Sequence, residues 1–158
     1  MKDIEKLVEI LKSKNLTLVT VESATCGMLA SSIGDVSGVS SVFNGGFVVY
    51  TAQAKHEMLN INADLIETYG TVSEEIALAM LEKANEIINA NCIISVTGNA
   101  GPTAIENKPV GLFYVGLKFN EYQTVRKVEL GNNLSRNQAR QFIVDLCIRE
   151  MINLISFS

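Results

Sequence analysis

Hydroxyl side chains and glycines follow three apolar, β-branched segments of the sequence. They stand where each predicted strand ends, at residues Ser23–Gly27, Tyr50–Thr51 and Thr97–Gly101. In open α/β sheets, ligands bind in the crevice outside the carboxyl ends of the strands. If the three strands run in the same direction, Ser23, Tyr50 and Thr97 share one such crevice.

Lys55 follows Tyr50 closely enough to reach back to this crevice from the next helix. A desolvated lysine loses its proton more readily and can act as the base for a serine nucleophile, which is chemistry suited to cleaving an amide. Tyr50 would relay a proton, and main-chain amides around Gly27 or Gly98 would hold an oxyanion. The alternative interpretation is structural: a solvated lysine, a packing tyrosine and turns capped by Ser or Thr.

The stretch "ESATCG" at residues 22–27 joins a β-branched segment to a helix of small residues. The first amides of a helix have no partner within the helix, and the helix dipole favours negative charge there. This hinge therefore predicts a site for a phosphate or an oxyanion, with an ordinary helix cap as the alternative.

Charge and hydropathy exclude two classes of partner. The 158 residues carry a net charge of −4 without a cluster of Lys and Arg, which argues against a nucleic-acid partner. No apolar run approaches the roughly 18 residues that cross a membrane, and the charged first residues do not form a secretory signal. We expect a cytoplasmic protein that binds neither nucleic acid nor membrane.

The cysteines and the histidine limit the chemistry further. Cys26, Cys92 and Cys147 are odd in number and far apart, which favours reduced thiols in the cytoplasm. His56 is the only histidine, so a zinc site lacks ligands. No G-x-G-x-x-G follows a strand, which argues against a dinucleotide cofactor. We expect no metal and no cofactor.

The hydrophobic pattern places these residues on an alternation of helices and strands. It predicts strands at 15–21, 41–50 and 92–96, and helices at the amino terminus, 25–35, 51–60, 63–69 and 134–155. Thr71 and Glu74 have the spacing of a capping box and would open another long helix. The Gly45–Gly46 pair inside the second strand predicts a bulge or a close backbone approach.

Two further strands read "VGLFYVGLKFN" and "YQTVRKVEL", with a turn near Asn120–Glu121. We therefore predict one α/β domain over residues 1–158. Its architecture is a three-layer α/β/α sandwich with a mixed sheet, ending in a C-terminal β-hairpin and a closing helix.

Several longer blocks resemble a known family. The segments "VESATCG", "GGFVVYTAQAKHEML", "YGTVSEEIALAM", "VTGNAGP" and "NKPVG", taken in order, resemble the C-terminal domain of the competence/damage-inducible CinA proteins from about residue 5 to 155. The resemblance implies a nicotinamide-nucleotide amidase. Such an enzyme hydrolyses nicotinamide mononucleotide, a pyridine nucleotide, to nicotinate mononucleotide and ammonia without a metal.

The resemblance also implies site residues. The catalytic set falls on Ser23, Ser40, Tyr50, Lys55 and Thr97, and the substrate-binding set on Thr25, Gly27, Gly46, Gly98, Gly101 and Arg136. We predict Ser40 as the nucleophile, Lys55 as its base and Ser23 as a relay, with a Ser23 nucleophile as the alternative. Arg136 would clamp the phosphate, because guanidinium binds phosphate through two parallel hydrogen bonds.

The position of Ser40 raises a geometric difficulty. Ser40 and Tyr50 flank one predicted strand, and ten residues at about 3.3 Å each span up to roughly 30 Å. Either the strand bends at Gly45–Gly46 or Ser40 joins the site across a subunit interface. The second possibility predicts a homodimer whose sites combine two chains.

The sequence departs from the family at three places. Cys26 replaces a glycine, Asn99 replaces an apolar residue, and the glycine-poor "TAIEN" introduces Glu106 beside the crevice. These changes favour an alternative, a catalytically impaired nucleotide-binding or regulatory module. The retained serines and lysine favour the enzyme.

Overall fold

Five strands form one mixed sheet at the centre of the protein. The structure is a computed structural model that describes residues 1–158. The strands are β1 (Leu18–Glu22), β2 (Phe43–Val48), β3 (Cys92–Gly98), β4 (Leu112–Phe119) and β5 (Tyr122–Glu129). Their order is β2-β1-β3-β4-β5, with β1 parallel to both neighbours and β4 antiparallel to both β3 and β5. The predicted mixed sheet and hairpin are confirmed.

Six α-helices surround the sheet. They are α1 (Asp3–Ser13), α2 (Met28–Gly34), α3 (Ala52–Leu59), α4 (Ala63–Tyr69), α5 (Glu74–Ile87) and α6 (Arg136–Ser156), and a short 3-10 helix, Val39–Ser41, precedes β2. None of these helices combines the length and the apolar character that crossing a membrane requires.

Two apolar cores lie on opposite faces of the sheet. One buries residues of α1, α2 and α6, such as Leu7, Leu29 and Cys147. The other buries residues of α3, α4 and α5, such as Leu59 and Met80. Every residue of β1 is buried, as expected of a parallel strand covered on both faces. The predicted three-layer α/β/α sandwich is therefore confirmed.

The parallel strands bring three loops to one edge of the sheet. Because β1, β2 and β3 run in the same direction, the segments after Glu22 and Val48 and the last residues of β3 lie side by side. The first turn of α6 reaches the same edge, where Arg136 donates a hydrogen bond to the carbonyl of Gly101. This edge is where the sequence places its candidate site.

The helix that follows the β1 turn begins later than the sequence predicts. Residues 23–27 form a turn in which Cys26 and Gly27 adopt left-handed backbone angles, with φ of 50° and 90°, and α2 starts at Met28. Consecutive left-handed residues cannot continue a right-handed helix. The hinge is therefore a separate turn and not the first turn of the helix.

The capping-box prediction for Thr71 and Glu74 is wrong. Ser73 caps α5 by accepting a hydrogen bond from the amide of Ile76 at 3.2 Å. The hydroxyl of Thr71 instead donates to the carboxylate of Glu106. Thr71 is thereby free of the helix and belongs to a loop beside the candidate site.

The predicted substrate-binding role of Gly46 is also not supported by its position. Gly46 lies inside β2 opposite Thr20 of β1, next to an irregularity in the register of the two strands. A Cβ on Gly46 would collide with the Thr20 hydroxyl and lie 3.1 Å from its carbonyl oxygen. Gly46 therefore permits a close approach of β1 and β2, as the Gly45–Gly46 pair predicts.

Candidate active site

A cleft of about 430 Å³ opens at the carboxyl ends of β1, β2 and β3. Its size is typical of small-molecule sites. Six residues of the predicted set line it, namely Ser23, Tyr50, Thr97, Gly98, Gly101 and Arg136. The structure therefore brings together most of the residues that the sequence singles out.

Lys55 lies beneath this cleft and is completely buried. Its Nζ lies 2.9 Å from the Oγ of Ser23 and 2.9 Å from the carbonyl oxygen of Val49, with the carbonyl oxygen of Tyr50 at 3.3 Å. Residue 55 occupies the fourth position of α3, so the helix directs this side chain back under the turn after β1. A lysine without solvent contact and hydrogen-bonded to a serine is the arrangement of a nucleophile and its base.

Burial lowers the pKa of Lys55 from 10.5 to about 8. Desolvation is the main cause, because it disfavours the charged form, and the nearby Glu106 carboxylate opposes it by favouring the ammonium. A pKa near 8 leaves roughly a tenth of the Lys55 amine neutral at pH 7. Lys55 can therefore accept a proton from Ser23 under ordinary conditions.

Tyr50 and Arg136 meet at the mouth of the cleft. Arg136 donates through Nη2 to the phenolic oxygen of Tyr50 and through Nη1 to the carbonyl of Gly101 at 2.6 Å. It is the only charged residue that lines the cleft. Since both residues are exposed, this is the part of the cleft that a negatively charged group reaches first.

Thr97 lies at the end of β3 and is almost fully buried. Its hydroxyl donates to the carbonyl of Thr71 at 2.6 Å, which ties the cleft wall to the loop before α5. Thr97 therefore holds the adjacent loop in place, and its hydroxyl proton is already donated to the carbonyl of Thr71.

The amino terminus of α2 is occupied by a carboxylate of the protein itself. Glu22 is fully buried and accepts hydrogen bonds from the amides of Leu29 and Ala30 at 2.9 and 3.0 Å and from the hydroxyl of Thr25 at 2.7 Å. The expectation that these amides bind a phosphate or an oxyanion is therefore wrong. Neither Thr25 nor Gly27 lines the cleft, and both serve the turn instead.

Arg140 fixes the same turn from the other side. Its Nε donates to the carbonyl of Ala24 at 3.0 Å and its Nη2 to the carbonyl of Thr25 at 2.9 Å. Glu22 and Arg140 thus immobilise the segment that carries Ser23. Pre-organisation of this kind is what a catalytic group requires.

Two main-chain amides of the cleft remain without an acceptor. The N–H groups of Ala24 and Ala100 donate to no atom of the protein, although both residues are nearly buried and line the cleft. Buried amides are almost always paired, so an unpaired one is a ready donor for a ligand oxygen. The segments after β1 and after β3 therefore each hold an amide that is free to bind a ligand oxygen, whereas the first amides of α2 are occupied by Glu22.

Ser40 lies outside the cleft. It belongs to the 3-10 helix before β2, is exposed and makes no side-chain hydrogen bond, whereas Lys55 lies beyond the opposite end of that strand. The six residues of β2 at about 3.3 Å each hold the two ends roughly 20 Å apart. A pairing of Ser40 with Lys55 inside one chain is therefore wrong, and Ser23 occupies that position.

Two of the departures from the family pattern differ in their relation to the cleft: Cys26 stays outside it, whereas Asn99 lines it and has a buried Nδ2 without a hydrogen-bond partner. The thiol of Cys26 is exposed and lies outside the cleft. Asn99 is buried, and its Oδ1 accepts a hydrogen bond from the amide of Gly101 at 3.0 Å. Asn99 therefore shapes the loop after β3.

Three residues with positioning roles were missed by the sequence predictions: Glu22, Thr71 and Arg140. Arg140 follows Arg136 by one helical turn, a spacing that places both on one face of α6 and could have indicated it. Glu22 stands in the "ESATCG" stretch, but nothing in the sequence shows that its carboxylate turns to the helix. Thr71 is brought to the cleft by the tertiary structure alone.

Comparison with known proteins identifies the family. The family model described as CinA C-terminal domain matches residues 2–155. The chain belongs to this family. A CinA-like protein of Kosmotoga olearia is 38% identical over 154 residues, covering 96% of this chain and 37% of the relative. The chain therefore spans about 37% of the length of the curated relatives it matches.

Solved structures of the family share the fold over their whole length. The competence/damage inducible protein CihA from Agrobacterium tumefaciens is 32% identical with a TM-score of 0.88, covering 98% of this chain and 96% of that one. A CinA superfamily protein from Klebsiella pneumoniae is 18% identical with a TM-score of 0.94, covering 99% and 97%. The fold of the CinA family is thus shown for this chain.

Proposed function

We propose that this protein is a metal-independent amidohydrolase that converts nicotinamide mononucleotide to nicotinate mononucleotide and ammonia. The observation that carries the proposal is the fully buried Lys55, with its Nζ 2.9 Å from Ser23 Oγ beneath a cleft of suitable size. A buried lysine with a lowered pKa beside a serine hydroxyl has the two properties that a general base needs.

Ser23 is the nucleophile in this proposal and Lys55 is its base. Neutral Lys55 accepts the hydroxyl proton as Ser23 Oγ bonds to the carboxamide carbon of the substrate. The resulting ammonium returns that proton to the departing nitrogen, which leaves as ammonia when the C–N bond breaks. Lys55 then takes a proton from a water molecule, whose oxygen bonds to the carbonyl carbon of the acyl-serine ester. As the ester C–O bond breaks, the Lys55 ammonium returns that proton to Ser23 Oγ, and the acid product leaves as the carboxylate with loss of a proton to solvent.

The unpaired amides of Ala24 and Ala100 support the charged intermediate of each step. In this proposal the tetrahedral oxyanion formed at Ser23 accepts hydrogen bonds from these two N–H groups, which stabilise it more than they stabilise the planar carboxamide. The contacts of Arg140 with the carbonyls of Ala24 and Thr25 fix the orientation of this turn before the substrate binds.

Arg136 supplies the complementary charge for the phosphate. It is the single charged lining residue and stands at the mouth, opposite the buried Ser23–Lys55 pair. A nucleotide with one phosphate at one end and an amide at the other fits this separation of a polar mouth from a catalytic floor. Tyr50 orients the guanidinium through its hydroxyl.

The test is ammonia release from nicotinamide mononucleotide by the purified, chelator-treated protein. We expect release that disappears in Lys55→Met and rises with pH around 8 in the unmodified protein, because the neutral lysine is the active form. Release by Lys55→Met at the unmodified rate would exclude a lysine base. Binding of the nucleotide without release would favour the alternative, a catalytically impaired binding module.

A further inference from the structure

One segment near the cleft has an unusual backbone. Residues Ile105–Lys108 form a tight turn in which the amide of Lys108 donates to the carbonyl of Ile105 at 2.8 Å. Both central residues, Glu106 and Asn107, have positive φ, at 54° and 57°. Asn tolerates this conformation, but for Glu it is unfavourable by about 1 kcal/mol or more. A contact elsewhere must therefore favour Glu106 at this position.

The carboxylate of Glu106 makes that contact. It accepts hydrogen bonds from the amide and the hydroxyl of Thr71, both at 2.8 Å, and from the amide of Val72 at 3.1 Å. Although the residue lies on a surface loop, its side chain is only 29% exposed. Partial burial alone would raise the pKa of Glu106, but these hydrogen bonds and the nearby Lys108 outweigh it and lower the pKa.

Lys108 completes the attachment. Its Nζ donates to the carbonyls of Tyr69 and Val72 at 2.7 and 2.5 Å and lies 3.5 Å from the Glu106 carboxylate. The approach requires a glycine at position 70, where a Cβ would lie 2.6 Å from Glu106 Oε1 and 2.9 Å from Lys108 Nζ. We call the contacts of Glu106 and Lys108 with residues 69–72 the latch.

The latch joins two parts of the cleft wall. Thr71 and Ile105 both line the cleft, and the carbonyl of Thr71 receives the hydroxyl of Thr97. All hydrogen bonds between the loop after β3 and residues 69–72 belong to the latch, and the bond from Thr97 to Thr71 joins that segment to strand β3 itself.

From these contacts we infer that Glu106 is a positioning residue of the cleft, which fixes the wall formed by Thr71, Thr97 and Ile105. The catalytic part of this role rests on the proposed function, whereas the latch itself does not.

The charge of Glu106 is one of several near Lys55 and the cleft. The charged and titratable groups around the cleft and Lys55 are Glu22 at the end of β1, Tyr50 after β2, His56 on α3, Arg136 and Arg140 on α6, and Glu106 and Lys108 on the turn. Of these, the carboxylate of Glu106 acts on Lys55 and raises its pKa against the larger effect of desolvation. Removing that charge must therefore lower the pKa of Lys55.

The test compares Glu106→Gln with the unmodified protein by NMR. Two signals are followed: hydrogen exchange at the amides of Thr71 and Val72, and the pH titration of the Lys55 side chain, assigned with Lys55→Met. We expect exchange to accelerate about tenfold or more, because both amides lose a charged acceptor, and the Lys55 midpoint to move to lower pH. A merely structural turn would change the exchange and leave the midpoint in place.

A matched control and a second variant make the result decisive. Glu121→Gln removes an exposed carboxylate from the β4–β5 turn, at the other end of the sheet, and must change neither signal. Gly70→Ala displaces the latch but keeps the charge, so it should accelerate the exchange with a smaller change in the Lys55 midpoint.

Unchanged exchange in Glu106→Gln, or an unchanged Lys55 midpoint, would overturn the inference. Neither signal depends on turnover. Accelerated exchange with a shifted midpoint would support the inference even in a protein that releases no ammonia from nicotinamide mononucleotide, and that absence of release would overturn only the proposed function.

Discussion

The two ends of strand β2 lie beside two serines that differ in every property a nucleophile needs. At the carboxyl end, Ser23 is 6% exposed and bonded to the buried amine of Lys55. At the amino end, Ser40 is exposed on a short 3-10 helix and has no hydrogen-bond partner for its side chain. Ser23 follows one strand in the sequence and Ser40 precedes another, and the resemblance predicts a catalytic role for both.

The difference lies in what surrounds each hydroxyl. Only the carboxyl end places a lysine under a layer of main chain that removes it from water, and desolvation is the main cause of its lowered pKa. Ser23 is a candidate nucleophile because the lysine beside it is buried, and that burial exists only in the folded chain. The comparison therefore predicts opposite results for substitutions at the two ends.

The largest expected effect is the contrast between Ser23→Ala and Ser40→Ala. Ser23→Ala should lower kcat for nicotinamide mononucleotide about 10³-fold or more, because the covalent route is lost. Ser40→Ala should leave kcat within about twofold, because this hydroxyl touches nothing in the cleft. Steady-state ammonia release, with thermal unfolding to verify that both variants fold, measures the contrast.

Loss of activity in both serine variants would contradict a site built from one chain. Strand β2 lies at the edge of the sheet, and an antiparallel pairing of two copies about Gly45 would set Ser40 of a second copy opposite Tyr50. Mixing Ser40→Ala with Lys55→Met would then restore activity, since one of the two sites of a mixed dimer would be intact.

The next effect concerns the stability of the protein. The pKa of Lys55 falls from 10.5 unfolded to about 8 folded, so between these pH values the unfolded chain binds a proton that the folded chain does not. The free energy of unfolding must therefore rise with pH over this range, by at most about 3 kcal/mol. Urea unfolding of the unmodified protein and of Lys55→Met, from pH 7 to 11, measures the rise as the difference between the two.

Subtracting the unfolding free energy of Lys55→Met from that of the unmodified protein cancels the contributions of other groups that titrate in this range. Burial raises the pKa of Cys92 and Cys147, so the folded thiols retain protons that the unfolded chain releases, and their contribution falls with pH in both proteins. A difference that stays flat from pH 8 to 10.5 would show that the folded chain does not disfavour the Lys55 ammonium.

The sequence predicted the layers of the fold well because that information is local and periodic. The alternation of apolar segments defined the parallel strands, and their polarity follows from the helical connections between them. The gathering of Ser23, Tyr50 and Thr97 at one edge then required only that β1, β2 and β3 run the same way, which they do.

The errors share a physical cause. The start of α2 looks like an anion site in the sequence, but its amides are taken by Glu22, whose side chain could equally have faced solvent. Thr71 has capping spacing, yet it bonds to Glu106, which is 35 residues away in the chain. In both cases the hydrogen-bond partners of a glutamate, Glu22 or Glu106, are set by tertiary packing, which the spacing of residues along the chain does not encode.

A smaller effect should distinguish the mouth of the cleft from its floor. Arg136→Met should raise KM for nicotinamide mononucleotide about 10- to 100-fold and change kcat less, because a charge-assisted contact to the phosphate is lost while the Ser23–Lys55 pair is untouched. KM for nicotinamide riboside, which lacks the phosphate, should stay the same. An equal rise in KM for both substrates would place the phosphate elsewhere.

The smallest effect should come from Arg140, which touches the turn but not the cleft. Arg140→Lys keeps the charge but cannot donate in one plane to the carbonyls of both Ala24 and Thr25, so the turn that carries Ser23 loosens. We expect kcat to fall about three- to tenfold with little change in KM, because misplacement affects the reacting atoms more than the phosphate. Guanidinium ion should restore part of kcat in Arg140→Ala. As a control, Arg149→Lys changes an exposed arginine on the same helix, and it should neither lower kcat nor respond to guanidinium. A fall in kcat that guanidinium does not reverse would mean that Arg140 acts only through the stability of the fold. The difference between the immobilised Ser23 and the exposed Ser40 would then need another cause.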